Sequence, residues 1–520
     1  MRRAERVALA TLATLTLVAC SAPSAGAQVW EVGNILLKSL SPVTSGQFGF
    51  AVATGDFDGD GKPDLAVGSP GKPSVTFFHG GGADRTLFYW TEITSPNPDE
   101  LGIALAVGDF DGDGRDEIAV GAPAATVSFN GSDIGGAGRV VVEGYDTGCS
   151  CIQFVQSISQ ADTPGFSPPE TNDHFGSVLA AADFNNDGFA DLAVGVPDED
   201  VGGIADAGGV QVFFGGASGI RTDNPQGFRA GAVNVLGIAG SGDRMGAALA
   251  AGDFDGDGYR DIAVGAPGRK VSGTAGAGQI HVLRGSSTIV TTVGQQLLGE
   301  DAFGGTTAAD GFGSVLAAGD LDGDPRICAH ASCYDDLVIG VPQKTVNGHD
   351  GAGEVIVAAG ASFGVDGGTS TVITQAGNGE TPEAGDLFGA SLAVGSLDGF
   401  RGAGDSSPMD LAFGSPNEDL GALPDEGLVQ LLLSGAPGHS QAVPEKAGFK
   451  MAPAATSDFW GRALAIADFD GDGWGDLVVG ADGKTEGGKI GAGAVEVLFG
   501  ALFADGFESG GKSGWSTAAP

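Results

Sequence analysis

The sequence is poor in basic residues. Only 25 of its 520 residues are Lys or Arg, against 66 Asp or Glu, and the formal net charge is −41. A chain with so few cations has little with which to neutralise phosphates, which argues against nucleic acid and against anionic membrane surfaces as partners. Acidic residues in this excess either solvate a surface or hold cations, and their spacing decides between the two.

Long apolar runs and helical periodicity are also scarce. Beyond the N-terminal segment, nothing offers the 18 or so apolar residues that a transmembrane helix needs, and nothing looks helical over about 12 residues. The 94 glycines follow no G-x-y period, which excludes collagen. Hydrophobic residues make up 42 %, and 29 of them are Phe. The composition therefore indicates a folded chain with a sizeable core.

The N-terminus has the layout of an export signal, predicted over residues 1–27. Three Arg in the first six residues precede an apolar stretch at 7–19 that is too short to span a bilayer comfortably. Two cleavage sites compete. Leu-Val-Ala-Cys ending at Cys20 resembles a bacterial lipobox and would give a lipidated N-terminus, whereas Ala-Gly-Ala at 25–27 would release a soluble chain starting at Gln28. We expect an exported protein, either an outer-membrane or cell-surface lipoprotein or a secreted protein.

Cysteine is rare, and four of the five Cys lie outside the signal. Export permits disulfides. Cys328 and Cys333 lie five positions apart in a loop and could staple it, whereas Cys149 and Cys151 are closer and would form a strained bridge. The sequence has no zinc-ligand spacing and no H-E-x-x-H motif.

One acidic phrase recurs seven times, in a repeat of roughly seventy residues. The first copy reads FGFAVATGDFDGDGKPDLAVGSP over residues 48–70. The position of its first acid, Asp56, is occupied in the other copies by Asp109, Asp183, Asp253, Asp320 and Asp468, and by Ser396 in one degenerate copy. Each copy reads as an apolar strand, the acidic turn, a D-L-A-V-G strand, an alternating third strand and a less regular fourth strand. Four strands in each of seven copies predict an all-β, seven-bladed β-propeller.

The ends of each copy carry a family resemblance. Phe-Gly before the acidic turn and Gly-Ala-Pro after it, as at 121–123 and 265–267, resemble FG-GAP repeats. Those repeats build the seven-bladed propeller of integrin α chains. The resemblance covers residues 30–500, so we place the propeller at 28–500 and a C-terminal tail at 501–520. It implies structural metal loops on one face and a ligand site on the other.

The first copy is preceded by a segment that reads as a fourth strand, and the last copy lacks one after Phe499. Residues 35–40 are therefore predicted to supply the outer strand of the last blade, which would close the ring. The alternative is a loose linker that follows the export signal.

The acidic turns have the spacing of a calcium loop. Acids stand at positions 1, 3, 5 and 9 with Gly at 6, position 7 would ligate through its backbone carbonyl, and position 2 is always apolar. Oxygen-only ligands favour Ca²⁺ over Mg²⁺ or zinc; the alternative is a solvated acidic turn. The candidate ligands are Asp56, Asp58, Asp60, Lys62 and Asp64; Asp109, Asp111, Asp113, Arg115 and Glu117; Asp183, Asn185, Asp187, Phe189 and Asp191; Asp253, Asp255, Asp257, Tyr259 and Asp261; Asp320, Asp322, Asp324 and Asp336; and Asp468, Asp470, Asp472, Trp474 and Asp476.

The copies differ in how many of the expected calcium-loop residues they keep. Loops one, four and seven are complete, whereas loop two has Glu at position 9 and loop three has Asn at position 3. Loop five has Pro325 in place of Gly and an insertion before its last acid. Loop six, with Ser396 and a rearranged segment after Asp398, is expected to bind weakly or not at all. We expect about five calcium sites, or six if loop five survives.

Two functions fit this sequence. The first is a non-enzymatic, calcium-binding scaffold for binding or adhesion to an extracellular protein or glycan. The alternative is an extracellular hydrolase or lyase built from loops of the propeller. One G-x-S-x-G motif occurs at 360–364, but no helix follows it, so a plain turn is favoured over a nucleophile elbow.

Overall fold

The computed structural model describes residues 29–31, 34–81, 86–97, 99–163, 166–232, 234–305, 308–323, 334–378, 381–397, 408–419, 424–432 and 456–500. These residues form thirty strands. In chain order they are β1 (Val29–Glu31), β2 (Asn34–Leu37), β3 (Ala51–Gly55), β4 (Asp64–Ser69), β5 (Ser74–Gly80), β6 (Leu87–Thr94), β7 (Leu105–Gly108), β8 (Glu117–Ala122), β9 (Val127–Phe129), β10 (Ser132–Ile134), β11 (Arg139–Asp146), β12 (Cys151–Ile158), β13 (Val178–Ala182), β14 (Asp191–Val196), β15 (Gly209–Phe213), β16 (Gln226–Phe228), β17 (Ala248–Gly252), β18 (Asp261–Ala266), β19 (Gln279–Arg284), β20 (Thr291–Leu298), β21 (Val315–Gly319), β22 (Asp336–Val341), β23 (Glu354–Ala361), β24 (Gly364–Ile373), β25 (Ser391–Gly395), β26 (Asp410–Ser415), β27 (Leu428–Leu432), β28 (Leu464–Ala467), β29 (Asp476–Ala481) and β30 (Ala494–Leu498).

The strands form seven propeller sheets, and the predicted all-β, seven-bladed propeller is confirmed. Blades one to five are antiparallel four-stranded sheets that each follow chain order from the centre outwards, from β3–β6 to β21–β24. Blade six has β25, β26 and β27 among the described residues. Across all described residues, the helical structure consists of three 3-10 turns, at Gln160–Asp162, Glu300–Phe303 and Gln375–Asn378.

The ring closes as predicted. The first strand of each blade packs against the first strand of the next, and β28 of blade seven packs back against β3 of blade one. In blade seven, β2 pairs antiparallel with β30, with Ile35 opposite Val497. The structure also adds β1 outside β2, so the N-terminal segment contributes a hairpin where the sequence predicted one strand.

Antiparallel pairing sorts the connections onto two faces. The acidic loop of each blade joins its first strand to its second, and the hairpin between the third and fourth strands lies at the same end of the sheet. We call this end the loop face. The second-to-third connections and the blade-to-blade connections lie on the opposite face.

The core explains the apolar position 2 of the repeat. Its side chains are buried in all seven copies, with Phe57, Phe110, Phe184 and Phe254 fully inaccessible. The second strand of each blade is buried along its length, as in β4 and β29. Burying each such side chain contributes roughly 1.5–3 kcal/mol, so the repeated Phe is a main source of stability.

Close backbone packing explains the glycines of the two end motifs. Gly176 of blade three adopts φ +87, and a Cβ at Gly121 of blade two would collide with the Gly176 carbonyl oxygen. The Phe-Gly motif of one blade thus packs on the Gly-Ala-Pro motif of the preceding blade.

Among the described cysteines, Cys149 and Cys151 form a disulfide with a Cα–Cα distance of 5.3 Å. It lies at the turn between β11 and β12. Cys328 and Cys333 lie outside the described residues, as do the predicted export signal, Cys20 and the tail at 501–520. In the described part of the chain, no helix has the length and apolarity needed to cross a membrane.

Candidate metal loops

The seven acidic loops span 56–64, 109–117, 183–191, 253–261, 320–336, 396–410 and 468–476, and are called loops one to seven. In five of them the backbone wraps around the position-1 acid. In loop one, Asp60 N donates to Asp56 Oδ1 at 3.0 Å and Gly61 N to Asp56 Oδ2 at 2.8 Å. Loops two, three, four and seven repeat both bonds. The position-1 carboxylate is therefore fixed before any ion arrives.

Position 9 has a structural task that the sequence did not reveal. Asp64 accepts bonds from Phe57 N at 3.1 Å and from Gly80 N at 2.9 Å, and Asp476 does the same with Phe469 N and Gly500 N. The worn loop six keeps this acid, since Asp410 accepts from Leu397 N at 2.7 Å. In blades one, three, five and seven this carboxylate joins the turn after the first strand to the end of the third strand, and in loop six the bond to the turn is kept.

Position 7 varies freely in sequence, and the structure gives the reason. Each of these residues uses its backbone N–H to bond the position-5 acid, as Lys62 does with Asp60 Oδ1 at 2.9 Å. The same bond is made by Arg115 to Asp113, Phe189 to Asp187, Tyr259 to Asp257 and Trp474 to Asp472. The loop therefore depends on the backbone at position 7 and not on the side chain.

Burial and repulsion between neighbouring acids raise the pKa of several loop carboxyls. Burial, reinforced by Asp111, raises the pKa of Glu117 to about 8. Burial likewise raises the pKa of Asp476 to about 8 and those of Asp191 and Asp336 to about 7, with neighbouring acids adding to each shift. A divalent cation would reverse this effect, because it stabilises the ionised form.

The donor sets fit calcium. Carboxylate oxygens of Asp109, Asp111 and Glu117 lie within 4.8 Å of one another, and the same holds for Asp320, Asp322 and Asp336 and for Asp56, Asp58 and Asp60. In loop three, the buried Asn185 Oδ1 has no hydrogen-bond partner. An orphaned buried oxygen among carboxylates is what an oxygen-seeking cation would satisfy.

Two loops carry a basic side chain that the sequence reading did not include. In loop one, His79 Nδ1 lies 3.5 Å from Asp58 Oδ2 and 3.4 Å from Asp64 Oδ1. In loop four, Arg284 Nη1 lies 2.7 Å from Asp261 Oδ2 and 3.2 Å from Asp255 Oδ2. Both residues immediately precede the glycine that bonds the position-9 acid, a signal that alignment of the copies could have found.

The remaining predicted ligands are placed unevenly. Asp183, Asp187, Asp253, Asp257, Asp468, Asp470 and Asp472 lie in ordered turns of their loops. Asp324 of loop five and Asp398 of loop six lie outside the described residues. Loops five and six are thus described at their two ends only.

The loops also join neighbouring blades. The residue before position 9 donates its N–H to the position-1 carbonyl of the preceding blade, as Asp116 N does to Asp56 O at 3.0 Å and Ala190 N to Asp109 O at 2.9 Å. The third-to-fourth-strand hairpin of the next blade donates to the position-2 carbonyl, as Gly216 N does to Phe110 O. Ordering one loop therefore orders part of the next blade.

The G-x-S-x-G motif forms a hairpin turn, as favoured from the sequence. Gly360 pairs with Val365 and Ala361 with Gly364, which leaves Ser362 and Phe363 at the tip between β23 and β24. No helix follows Ser362 there, so the motif lacks the strand–turn–helix context of a nucleophile elbow.

Comparison with known proteins agrees with this architecture. The FG-GAP repeat model matches residues 101–142, 175–213, 245–283 and 460–497, and an FG-GAP-like repeat model matches 37–120. Four of the matches begin at the Phe-Gly position of a repeat, which reads Leu-Gly at 101, Phe-Gly at 175, Met-Gly at 245 and Trp-Gly at 460. The chain is an integrin-alpha-like FG-GAP propeller. Its repeats supply both the blade cores and the acidic loops described above.

Relatives of this FG-GAP propeller include proteins of two kinds. Integrin alpha pat-2 of Caenorhabditis briggsae is 33 % identical over 42 % of this chain and 18 % of its own length. Integrin alpha-PS2 of Drosophila melanogaster is 29 % identical over 49 % of this chain and 16 % of its own length. Phosphatidylinositol-glycan-specific phospholipase D of Rattus norvegicus is 31 % identical over 37 % of this chain and 22 % of its own length. The matches span at most about a quarter of any of these relatives, so likeness is limited to the propeller.

Proposed function

We propose that this propeller is an exported, calcium-stiffened scaffold that binds an extracellular protein or glycan without catalysing a reaction. The observation that carries the proposal is the repeated arrangement of converging oxygen atoms on the loop face. In this proposal residues 1–27 direct export, residues 28–500 form the scaffold, and a lipid on Cys20 or release at Gln28 decides whether it stays at the surface.

Calcium is assigned a structural task in this proposal. Its ligands come from the position 1, 3, 5 and 9 side chains and the position-7 carbonyl of a loop. Because each loop bonds the next blade, an ion in one loop would stiffen the blade boundary as well. Loops two and three are the strongest candidates. Among the described residues, the basic side chain that pairs with their acids is the half-buried Arg115, which lies 2.8 Å from Asp113.

The opposite face is the proposed partner face. The second-to-third connection of blade two carries the extra hairpin β9–β10, which packs against the 3-10 turn at Gln160–Asp162. Ion pairs hold connections on this face. The half-buried Arg139 of blade two lies 2.8 Å from Asp99, and the buried Lys484 of blade seven lies 2.9 Å from Asp458. The corresponding connections of blades three, four, five and seven have only a single-bridge turn, so blade two carries the longer hairpin. Loops held on a rigid framework are a usual arrangement for recognition.

The test is a binding assay with the mature, calcium-loaded chain on a glycan array and, by surface plasmon resonance, on a panel of extracellular matrix proteins. We expect saturable binding to at least one ligand. Replacing residues 129–132 of the β9–β10 hairpin with Gly-Ser should weaken it at least tenfold. The control Phe363→Ser changes an exposed tip on the loop face and should leave binding unchanged. Turnover of a lipid or polysaccharide without saturable binding would favour the hydrolase or lyase alternative.

A further inference from the structure

One position of the blade differs in chemistry from copy to copy. It is the residue before the glycine whose N–H bonds the position-9 acid, a bond seen at Gly80, Gly215, Gly285, Gly360 and Gly500. The residues at this position are His79, Phe214, Arg284, Ala359 and Phe499. Among these five, Arg284 alone carries a permanent charge.

The Arg284 guanidinium pairs with two of the acids that would ligate an ion in loop four. Its Nη1 bonds Asp261 Oδ2 at 2.7 Å and lies 3.2 Å from Asp255 Oδ2, so it takes oxygens from positions 9 and 3. Its side chain is only 6 % exposed. A divalent cation bound to the same oxygens would be repelled by the buried positive charge of Arg284. If the ion took these oxygens from the guanidinium, Arg284 would be left as a buried cation without its acidic partners, which is costly.

The neighbouring blade is shaped around this arginine. Arg284 Nη2 donates to the Phe363 carbonyl at 2.6 Å, and Nε donates to the Gly294 carbonyl at 3.3 Å. Gly364 has φ +106, and a Cβ there would collide with Arg284 Nη2. The second glycine of the G-x-S-x-G turn therefore leaves the space that the guanidinium occupies, and four acceptor atoms hold the side chain in place.

We propose that Arg284 is a built-in cation of loop four, so that blade four is held without a divalent ion although its four acids are complete. The proposal rests on the calcium loops proposed above, and it removes loop four from them. It also gives the blade four–blade five boundary a bond that chelators leave intact.

Calcium stoichiometry, measured by native mass spectrometry and equilibrium dialysis on the full mature chain, tests this. Asp257→Ala in loop four should leave the number of bound ions unchanged. The matched variant Asp187→Ala, at the same position of loop three, should lower it by one. Arg284→Phe, which installs the residue that blades three and seven carry, should raise it by one and lower the melting temperature in chelator.

Each outcome has a separate meaning. Loss of one ion in Asp257→Ala, as in Asp187→Ala, would overturn the role of Arg284 and leave the calcium loops standing. An unchanged count in a folded Arg284→Phe would also overturn it. If Arg284→Phe does not fold, the Asp257→Ala and Asp187→Ala pair still decides. Absence of bound calcium in every variant, the unaltered chain included, would refute the proposed calcium loops and this proposal together.

Discussion

Blade two has a buried carboxyl, Glu143, at a third-strand position where blades one and three have Phe. Glu143 is 2 % exposed, and neither carboxylate oxygen has a hydrogen-bond partner. It lies opposite Ile118 in the sheet, where blades one and three carry Phe78 and Phe213 opposite Leu65 and Leu192. Burial raises the pKa of Glu143 to about 8. At neutral pH the folded protein therefore holds a proton that the unfolded chain releases.

This sets the sign of a pH effect. The contribution of protonated Glu143 to stability is complete below the unfolded pKa near 4.3 and is lost as pH rises towards 8, by up to about 1.4 kcal/mol per pH unit. Glu143→Gln removes that loss. We expect urea unfolding to show the variant more stable than the parent at pH 7, with the difference vanishing below about pH 4. A constant difference across this range would contradict the assignment.

The close contact of Gly121 with Gly176 gives a second residue-scale prediction. Gly121→Ala forces a Cβ against the Gly176 carbonyl oxygen, and neither partner is a side chain that can turn aside. We expect a loss of about 1–3 kcal/mol in the free energy of unfolding. Gly135→Ala is the control, because a Cβ there meets nothing within 4 Å. Equal stabilities of the two variants in chemical denaturation would refute this packing argument.

At the scale of the element, the acidic loop combines a strand-to-strand clamp with the proposed ion site. The clamp is the position-9 acid, and its bond to the position-2 N–H persists in loop six, where Ser396 replaces the first acid. The ion site needs the convergent set of acids and therefore varies between blades. This separation predicts that substituting an acid at position 1, 3 or 5 removes the response of a loop to calcium while the position-9 acid still holds the fold of the loop.

Chelation tests the separation. An ion that binds only the folded loop stabilises it by about 2.7 kcal/mol at a hundredfold excess over Kd. Removing calcium should therefore lower the melting temperature strongly, and adding it back should restore it. Asp472→Ala in loop seven should reduce the calcium-dependent part of the shift, whereas Ser396→Ala should leave it unchanged. The idea fails if chelator does not move the melting curve, or if both variants lose the same amount.

The repeat made the blades predictable because its signals are local. The strand after each acidic turn, the apolar position 2 and the number of copies all follow from neighbouring residues. What could not be predicted lies far apart in sequence: Arg284 and the Phe363 carbonyl are 79 residues apart, and Asp253 N bonds Asp335, 82 residues away. Spacing alone predicts only that a Cys149–Cys151 bridge would be strained, whereas the structure shows the disulfide at the turn that joins β11 and β12.

At the scale of the molecule, β2 determines whether the ring is closed. Ile35 and Leu37 are each 3 % exposed and join the same apolar cluster as Val495 and Val497 of β30. A chain that begins at Lys38 should expose the edge of β30, melt at a lower temperature and self-associate. A chain that begins at Val29 is the matched control and should stay monomeric. If analytical ultracentrifugation finds both truncations monomeric with one melting temperature, closure by β2 is unimportant for stability.

The pairing of β2 with β30 also bears on the order in which the protein is made. Synthesis delivers the N-terminus first, so β2 has only β1 to pair with until residues 494–498 are made. Six blades can form in the meantime, but the circle is completed only by the last strand. A product that terminates before residue 494 therefore keeps one edge of β2 without the strand that covers it in the closed ring. A finished chain thus differs from an unfinished one by the loss of an open strand edge.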